Sequence, residues 1–215
     1  MIGIIDYGMG NLYSVSKALE RLNYDYIISA DPAELRKAKG LILPGVGAFK
    51  DAMEQLNHTK LTDFIKEEVE KGMPLLGICL GMQLLFEESD ENGVTKGLEL
   101  LKGRVERIPG ITAEGQTYKV PHMGWNSLDF HQQSALLDGI SEGHVYFVHS
   151  YYVKTNDQDV LLATSPYDVE VPAVVGKEHV FGTQFHPEKS SAIGMQMLQN
   201  YANFVEKRSP SYEQI

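Results

Sequence analysis

Short apolar runs alternate with segments of helical period through the first half of the chain. Ile2-Gly3-Ile4-Ile5 is an apolar run, stopped by Asp6-Tyr7-Gly8-Met9-Gly10. Leu12, Val15, Leu19 and Leu22 then recur on one helical face, with Asn11 as a candidate N-cap. The pattern predicts a second strand from Tyr24 to Ile28 and a short helix opened by Asp31-Pro32. A third strand, Leu41-Ile42-Leu43, ends in Pro44-Gly45-Val46-Gly47. Leu61, Phe64, Ile65 and Val69 predict an amphipathic helix closed by Gly72 and Pro74. Leu75-Leu76-Gly77-Ile78 reads as a fourth strand, and Leu80 to Phe86 as a helix. Near-continuous apolar strands separated by helices predict a parallel sheet covered on both faces.

After Gly97 the rhythm changes. Gly103 to Ile108, Val145 to Val148, Val160 to Ala163 and Val180 to Gly182 follow one another without a clear helix between them, which predicts antiparallel strands. A last helix carries Ile193, Met197, Leu198, Tyr201 and Phe204. The expected fold is therefore α/β: an open, mixed, mostly parallel central sheet flanked by helices, with an antiparallel region added in the second half. One domain is expected over residues 1–206, with a polar tail over 207–215 that frays.

Composition narrows the function. The chain has 215 residues and a formal charge of −10, a poor match to nucleic acid phosphates. No stretch approaches the roughly 20 apolar residues of a membrane span. The N-terminal run has no basic stretch before it, so it does not read as a signal peptide, and a cytoplasmic location is expected. A single cysteine excludes an internal disulfide framework and a Cys-rich zinc site, and no metal-ligand spacing is evident. Tyr7-Gly8-Met9-Gly10 lacks the third glycine of a dinucleotide loop.

That one cysteine sits in Leu76-Gly77-Ile78-Cys79-Leu80-Gly81, where an apolar strand runs into a helix. Small residues two before and two after the cysteine permit the sharp turn of a nucleophile elbow. Such a turn exposes the side chain at the C-terminal edge of the sheet, and the adjoining helix N-terminus favours thiolate over thiol. A free cysteine that simply packs is the plainer reading; the flanking glycines weigh against it.

A thiolate needs a base with an orienting partner. Of seven histidines, only the one in Gln184-Phe185-His186-Pro187-Glu188 has a local acid arranged to hold the ring. If the chain is extended there, His186 and Glu188 share a face, with Pro187 stiffening the pair. Cys79, His186 and Glu188 then form a candidate triad of nucleophile, base and orienter. The backbone N–H of Leu80 is a natural oxyanion donor, and Pro44-Gly45-Val46-Gly47 could aim another or be a plain turn.

Over essentially the whole chain these pieces resemble the class I, triad-type glutamine amidotransferases, on GICLGMQLLFE and QFHPE jointly. IDYGMGNLYSV, LPGVGAF, VPHMGWN and YFVHSYYV resemble the branch of that family that acts in histidine biosynthesis. The resemblance implies that Cys79 attacks the side-chain amide of glutamine, that His186 moves the proton, and that Glu188 orients His186. It implies an oxyanion held by backbone N–H groups of Val46, Gly47 and Leu80. Gln83 and the backbone of His149, Ser150 and Tyr151 would hold the glutamine. No cofactor is implied. Ammonia would pass to a cyclase subunit, a (β/α)₈ barrel in a heterodimer, for imidazole glycerol phosphate and aminoimidazole carboxamide ribotide formation. Asn11, Pro121, Met123, Trp125, Asn126 and Lys189 would lie towards that partner. Trp125 suits an interface and the core of an antiparallel strand equally well, and Lys189 suits a helix-start surface position. The elbow would also serve a glutaminase feeding pyridoxal phosphate synthase, or a γ-glutamyl hydrolase. A non-catalytic partner-binding subunit is the remaining alternative.

Overall fold

The computed structural model describes residues 1–208. Its first half is built as the apolar pattern predicts. Strand β1 (Ile2–Ile5) leads into helix α1 (Leu12–Arg21), where the Asn11 side-chain oxygen accepts from the Ser14 N–H as the N-cap. β2 (Tyr26–Ser29) starts two residues later than expected, because the Tyr24 N–H is spent on the Leu19 carbonyl at the exit of α1. α2 (Pro32–Leu35) is capped by Asp31, and β3 (Gly40–Leu43) follows.

Helix α3 (Phe49–His58) was not expected, although Phe49, Ala52, Met53 and Leu56 bury one face at helical spacing. Its N-terminus has no cap of its own; the Phe49 N–H donates instead to the Glu91 carboxylate, 3.1 Å away and 42 positions on. After α4 (Leu61–Glu70) and β4 (Leu75–Ile78), α5 (Leu80–Gln83) is one turn long and stops short of Phe86. The carbonyls of Leu84, Leu85 and Phe86 accept N–H groups from residues 98–101, so none is left to continue the helix.

The second half supplies β5 (Glu88–Ser89), β6 (Thr95–Lys96), β7 (Arg104–Arg107), β8 (His122–Ser127), β9 (Asp129–Phe130), β10 (His144–His149) and β11 (Tyr151–Lys154). It ends with β12 (Leu161–Pro166), β13 (Glu170–Lys177), β14 (Val180–Thr183) and α6 (Ser191–Lys207). The main sheet has the order β2-β1-β3-β4-β14-β13-β12-β9. Strands β2 to β14 in that order pair in parallel, and the last three are antiparallel. β14 is therefore the seam: it is antiparallel to β13, as expected of its neighbourhood, but parallel to β4. Two smaller sheets, the antiparallel pair β10-β8 and the mixed β11-β7-β5-β6, in which β5 and β7 are parallel, complete the fold.

Alternation of side chains puts a core on each face of the sheet. Leu41, Leu43 and Leu75 pack with α3 and α4; Ile42, Leu76 and Ile78 pack with α1 and α6. Lys207 closes α6 and Arg208 caps it, so the helix runs past the expected boundary at 206. The rest of the expected tail, 209–215, lies outside the described residues. Among the described residues no helix is long and apolar enough to cross a membrane.

Candidate active site

Cys79 sits between β4 and α5 with φ 56° and ψ −112°, a conformation that costs a side-chain-bearing residue energy. The turn is held because the Cys79 N–H donates to the Thr183 carbonyl at 2.7 Å, while its own carbonyl accepts from Met82 and Gln83. The two flanking glycines are required by close backbone approach. A Cβ on Gly77 would lie 2.5 Å from the Gly81 carbonyl oxygen, and one on Gly81 would lie 1.8 Å from that of Leu43.

His186 reaches this point because β14 lies beside β4 in parallel, with Thr183 opposite Ile78. Both chains leave the sheet at the same edge, so residues far apart in sequence emerge side by side. The His186 N–H is anchored on the Tyr146 carbonyl of β10. His186 Nδ1 lies 2.8 Å from Glu188 Oε1, and both side chains are fully buried. The link between them is not extended, as expected, but a 3₁₀ turn over Pro187–Lys189, across which the two side chains still meet. Among the described residues, Nε2 of His186 has no partner of ordinary hydrogen-bond geometry, yet the Cys79 side chain is close enough to act on it. Burial opposes a charge on the ring, but hydrogen bonding to Cys79 and Glu188, and their negative charge, outweigh it and lift His186 to about 10. Among the other histidines, His131 and His179 also approach carboxylates (Glu170 at 3.4 Å, Glu178 at 3.9 Å), but neither borders Cys79.

A cavity of about 400 Å³ joins Cys79 and His186 to Val46, Gly47, Leu80, Gln83, Pro121, His149, Ser150 and Tyr151. Among the described residues, the N–H groups of Val46, Gly47 and Leu80 donate to no acceptor, which leaves them available to a ligand oxygen. Gln83 gives both amide N–H groups to the protein, to the Tyr151 carbonyl at 3.0 Å and to Gln184 Oε1 at 3.1 Å, so its oxygen is the atom left for a ligand. Gln184 turns its own N–H group to the Cys79 sulfur at 3.8 Å. Two residues that the sequence did not single out thus matter here: Gln184, and Glu91, a carboxylate that also lines the cavity. Glu91 lies in an unremarkable polar stretch and carried no signal; Gln184 stands two residues before His186 in the same motif. A larger groove of about 1370 Å³ around Lys102, Arg104 and Lys154 is lined by no cysteine, serine or histidine.

The residues expected to face a partner lie on several elements. Asn11 caps α1, Pro121 borders the cavity, and Lys189 is exposed in the turn after His186. Met123 and Trp125 are each 53% exposed on β8, so Trp125 is not a core residue; its ring meets that of Tyr146 edge-on. Asn126 is tied inward, to His122 and to the Pro166 carbonyl.

His122 and His149 are buried beside the site, and burial pushes them down to about 4 and about 3 respectively. An imidazole in the unfolded chain titrates near 6.5. The unfolded chain therefore takes up protons that these folded rings refuse. Their contribution to stability is complete above pH 6.5 and is lost as pH falls through 4 and 3. His186 acts in the opposite sense: its contribution is complete below 6.5 and is lost as pH rises through 10. The melting temperature is expected to fall by roughly 10 °C between neutral pH and pH of about 4. Calorimetry across that range checks this, and a flat profile would contradict two buried neutral rings.

Known proteins resemble this chain over nearly its whole length. The glutamine amidotransferase class-I family profile matches residues 3–204. The imidazole glycerol phosphate synthase subunit HisH of Geobacillus sp. (strain WCH70) is 72% identical over 206 residues, covering 96% of this chain and 98% of the relative. The HisH subunit of Bacillus subtilis (strain 168) is 57% identical, covering 95% and 97%. Among solved structures, a glutamine amidotransferase superposes with a TM-score of 0.74 at 22% identity, covering 95% of this chain and 98% of that one. PurLQS from Thermotoga maritima gives 0.69 at 20%, with the same coverage. At these identities the structures attest the fold alone.

Proposed function

The chain belongs to the class-I glutamine amidotransferases, and from that premise we propose that it releases ammonia from glutamine at Cys79 and hands it to a partner subunit. It supplies the glutaminase function of imidazole glycerol phosphate synthase in histidine biosynthesis; its relatives, at up to 72% identity over nearly their full length, are named as subunits of that synthase. A synthase subunit has a partner subunit. Here that partner is a cyclase with a (β/α)₈ barrel, which uses the ammonia to form imidazole glycerol phosphate and aminoimidazole carboxamide ribotide.

The observation that carries this reading is the single cavity shared by Cys79, the Glu188-paired His186 and the unpaired N–H groups of Val46, Gly47 and Leu80. The sulfur of Cys79 attacks the side-chain amide carbon of glutamine. The carbonyl oxygen takes the negative charge, and the backbone N–H groups stabilise it where it forms. The C–N bond then breaks, and the proton on His186 leaves with the nitrogen as ammonia. A γ-glutamyl thioester remains. Water adds to it as His186 accepts one of the water's protons; the C–S bond breaks and glutamate departs. Glu188 holds the imidazole by Nδ1, which turns Nε2 to the reacting atoms. The Gln83 oxygen and the Glu91 carboxylate are placed to accept from the amino-acid end or the amide of the substrate. Met123 and Trp125 support a docking face on β8.

The test is to measure glutamine turnover by the chain alone, with the cyclase subunit, and with that subunit and its nucleotide substrate. Turnover is expected to rise more than about tenfold in the full system, the scale of a coupled site. Equal turnover in all three conditions, or a response only to a different synthase's partner, would overturn the assignment.

A further inference from the structure

A buried chain of polar side chains runs from β8 to the cavity and takes no part in the chemistry above. The Tyr151 carbonyl receives two donors, Gln83 Nε2 and, at 2.7 Å, Nδ1 of His149. A carbonyl oxygen only accepts, so His149 carries its proton on Nδ1. Nε2 of the same neutral ring must then accept, and what it meets is Nδ1 of His122 at 3.0 Å. His122 is thereby also protonated on Nδ1, and its Nε2 accepts from the Asn126 amide at 3.2 Å. The other Asn126 N–H goes to the Pro166 carbonyl at 2.7 Å, and the Asn126 oxygen accepts from the Ser127 N–H at 2.9 Å. Every proton along the chain has one place. The His122 ring is also clamped, stacked on Tyr167 at 4.0 Å and on Phe147 at 4.4 Å between centroids.

The two ends of this chain have different surroundings. One end is Gln83, whose only free polar atom is the oxygen. The other is strand β8, where alternation turns His122 inward and Met123 and Trp125 outward. We propose that His122 and Asn126 are positioning residues: through His149 and the Tyr151 carbonyl they hold Gln83 with its oxygen towards the bound glutamine, and they tie that setting to the strand whose outer face carries Met123 and Trp125. This rests on the reading of the cavity as a glutamine site. An unordered chain would let the Gln83 amide turn over and present N–H groups where the substrate needs an acceptor.

His122→Phe keeps a stacked ring and removes the donor; His122→Asn keeps an N–H near the Nδ1 position. In the synthase complex, His122→Phe is expected to raise KM for glutamine about tenfold with a much smaller change in kcat, and His122→Asn to restore most of the loss. Synthesis from free ammonia serves as the control and is expected to be unchanged in both. In the unsubstituted protein, nitrogen-15 NMR of the imidazoles is expected to show His122 and His149 protonated on Nδ1 and bare on Nε2, with no titration around neutral pH. An unchanged KM in a folded His122→Phe complex overturns the inference. So does an Nε2-protonated ring in the unsubstituted protein, which settles the matter if the Phe variant does not fold. A complex that uses ammonia but never glutamine would instead overturn the glutaminase reading, while the NMR result would still judge the chain.

Discussion

With alanine in place of Cys79, glutamine-dependent synthesis by the complex is expected to fall by about 10⁴-fold or more, while synthesis from ammonia is retained. Removing the nucleophile of a covalent mechanism leaves only binding and oxyanion stabilisation, and these do not form the thioester. The chain has one cysteine, so no other thiol can substitute. The check is product formation with glutamine and with an ammonium salt at alkaline pH, in the same complex. Loss of both activities would mean that the chain contributes to the cyclase reaction itself, and the division of labour would fail. The backbone adds a second reading of the same position. At φ 56° a Cβ costs about 1–2 kcal/mol that glycine does not incur. Cys79→Gly should therefore be as inactive as Cys79→Ala and melt at a higher temperature. If it melts lower, the elbow is not strained in the way its dihedral angles imply.

Gly81→Ala is expected to be the most damaging single-methyl change near the site. The added Cβ would stand 1.8 Å from the Leu43 carbonyl oxygen, a backbone atom of β3 that cannot rotate aside. Either β3 and α5 separate, or the turn at Cys79 opens. Both disturb the loop after Leu43 and move the Leu80 N–H away from the cavity. A loss of about 3 kcal/mol or more is expected, together with nearly all glutamine turnover. Gly115→Ala is the control of the opposite kind: its φ of +81° disfavours a side chain, but a Cβ there meets nothing within 4 Å; there the loss is about 1 kcal/mol. Thermal unfolding of the two variants, alongside labelling of Cys79 by a glutamine-like electrophile, separates the cases. A Gly81→Ala protein that melts with the parent and turns over glutamine normally would refute the close-packed elbow.

The distinction between the two glycines marks where reading from sequence succeeds. Gly-x-Cys-x-Gly after an apolar run is a local signal, because strand, turn and helix are all set by residues within one another's reach. The same holds for β1, β3 and β4, whose apolar side chains announce burial on both faces, and for α1, whose cap Asn11 is adjacent to the helix it starts. The pairing of His186 with Glu188 was legible as well, although the turn that joins them is 3₁₀ rather than extended.

By itself, then, the order of residues determined the buried strands β1, β3 and β4 and the helices α1, α4 and α6, where the nucleophile turns, and which imidazole has a carboxylate arranged to hold it. Tertiary structure decided the rest wherever a backbone group found its partner far along the chain. Helix α3 starts on a carboxylate 42 positions away, α5 ends because residues 98–101 take its next carbonyls, and Trp125 is exposed on the face of β8 turned away from His122. The site itself exists because β14 returns to lie against β4, and the His122–His149 chain exists because β8 pairs with β10 and sets His122 opposite His149. Local propensity acts over a few residues and can be read from them. Strand order and hydrogen-bond capture depend on which distant segments bury each other's surfaces, and that is settled only when the whole chain is folded.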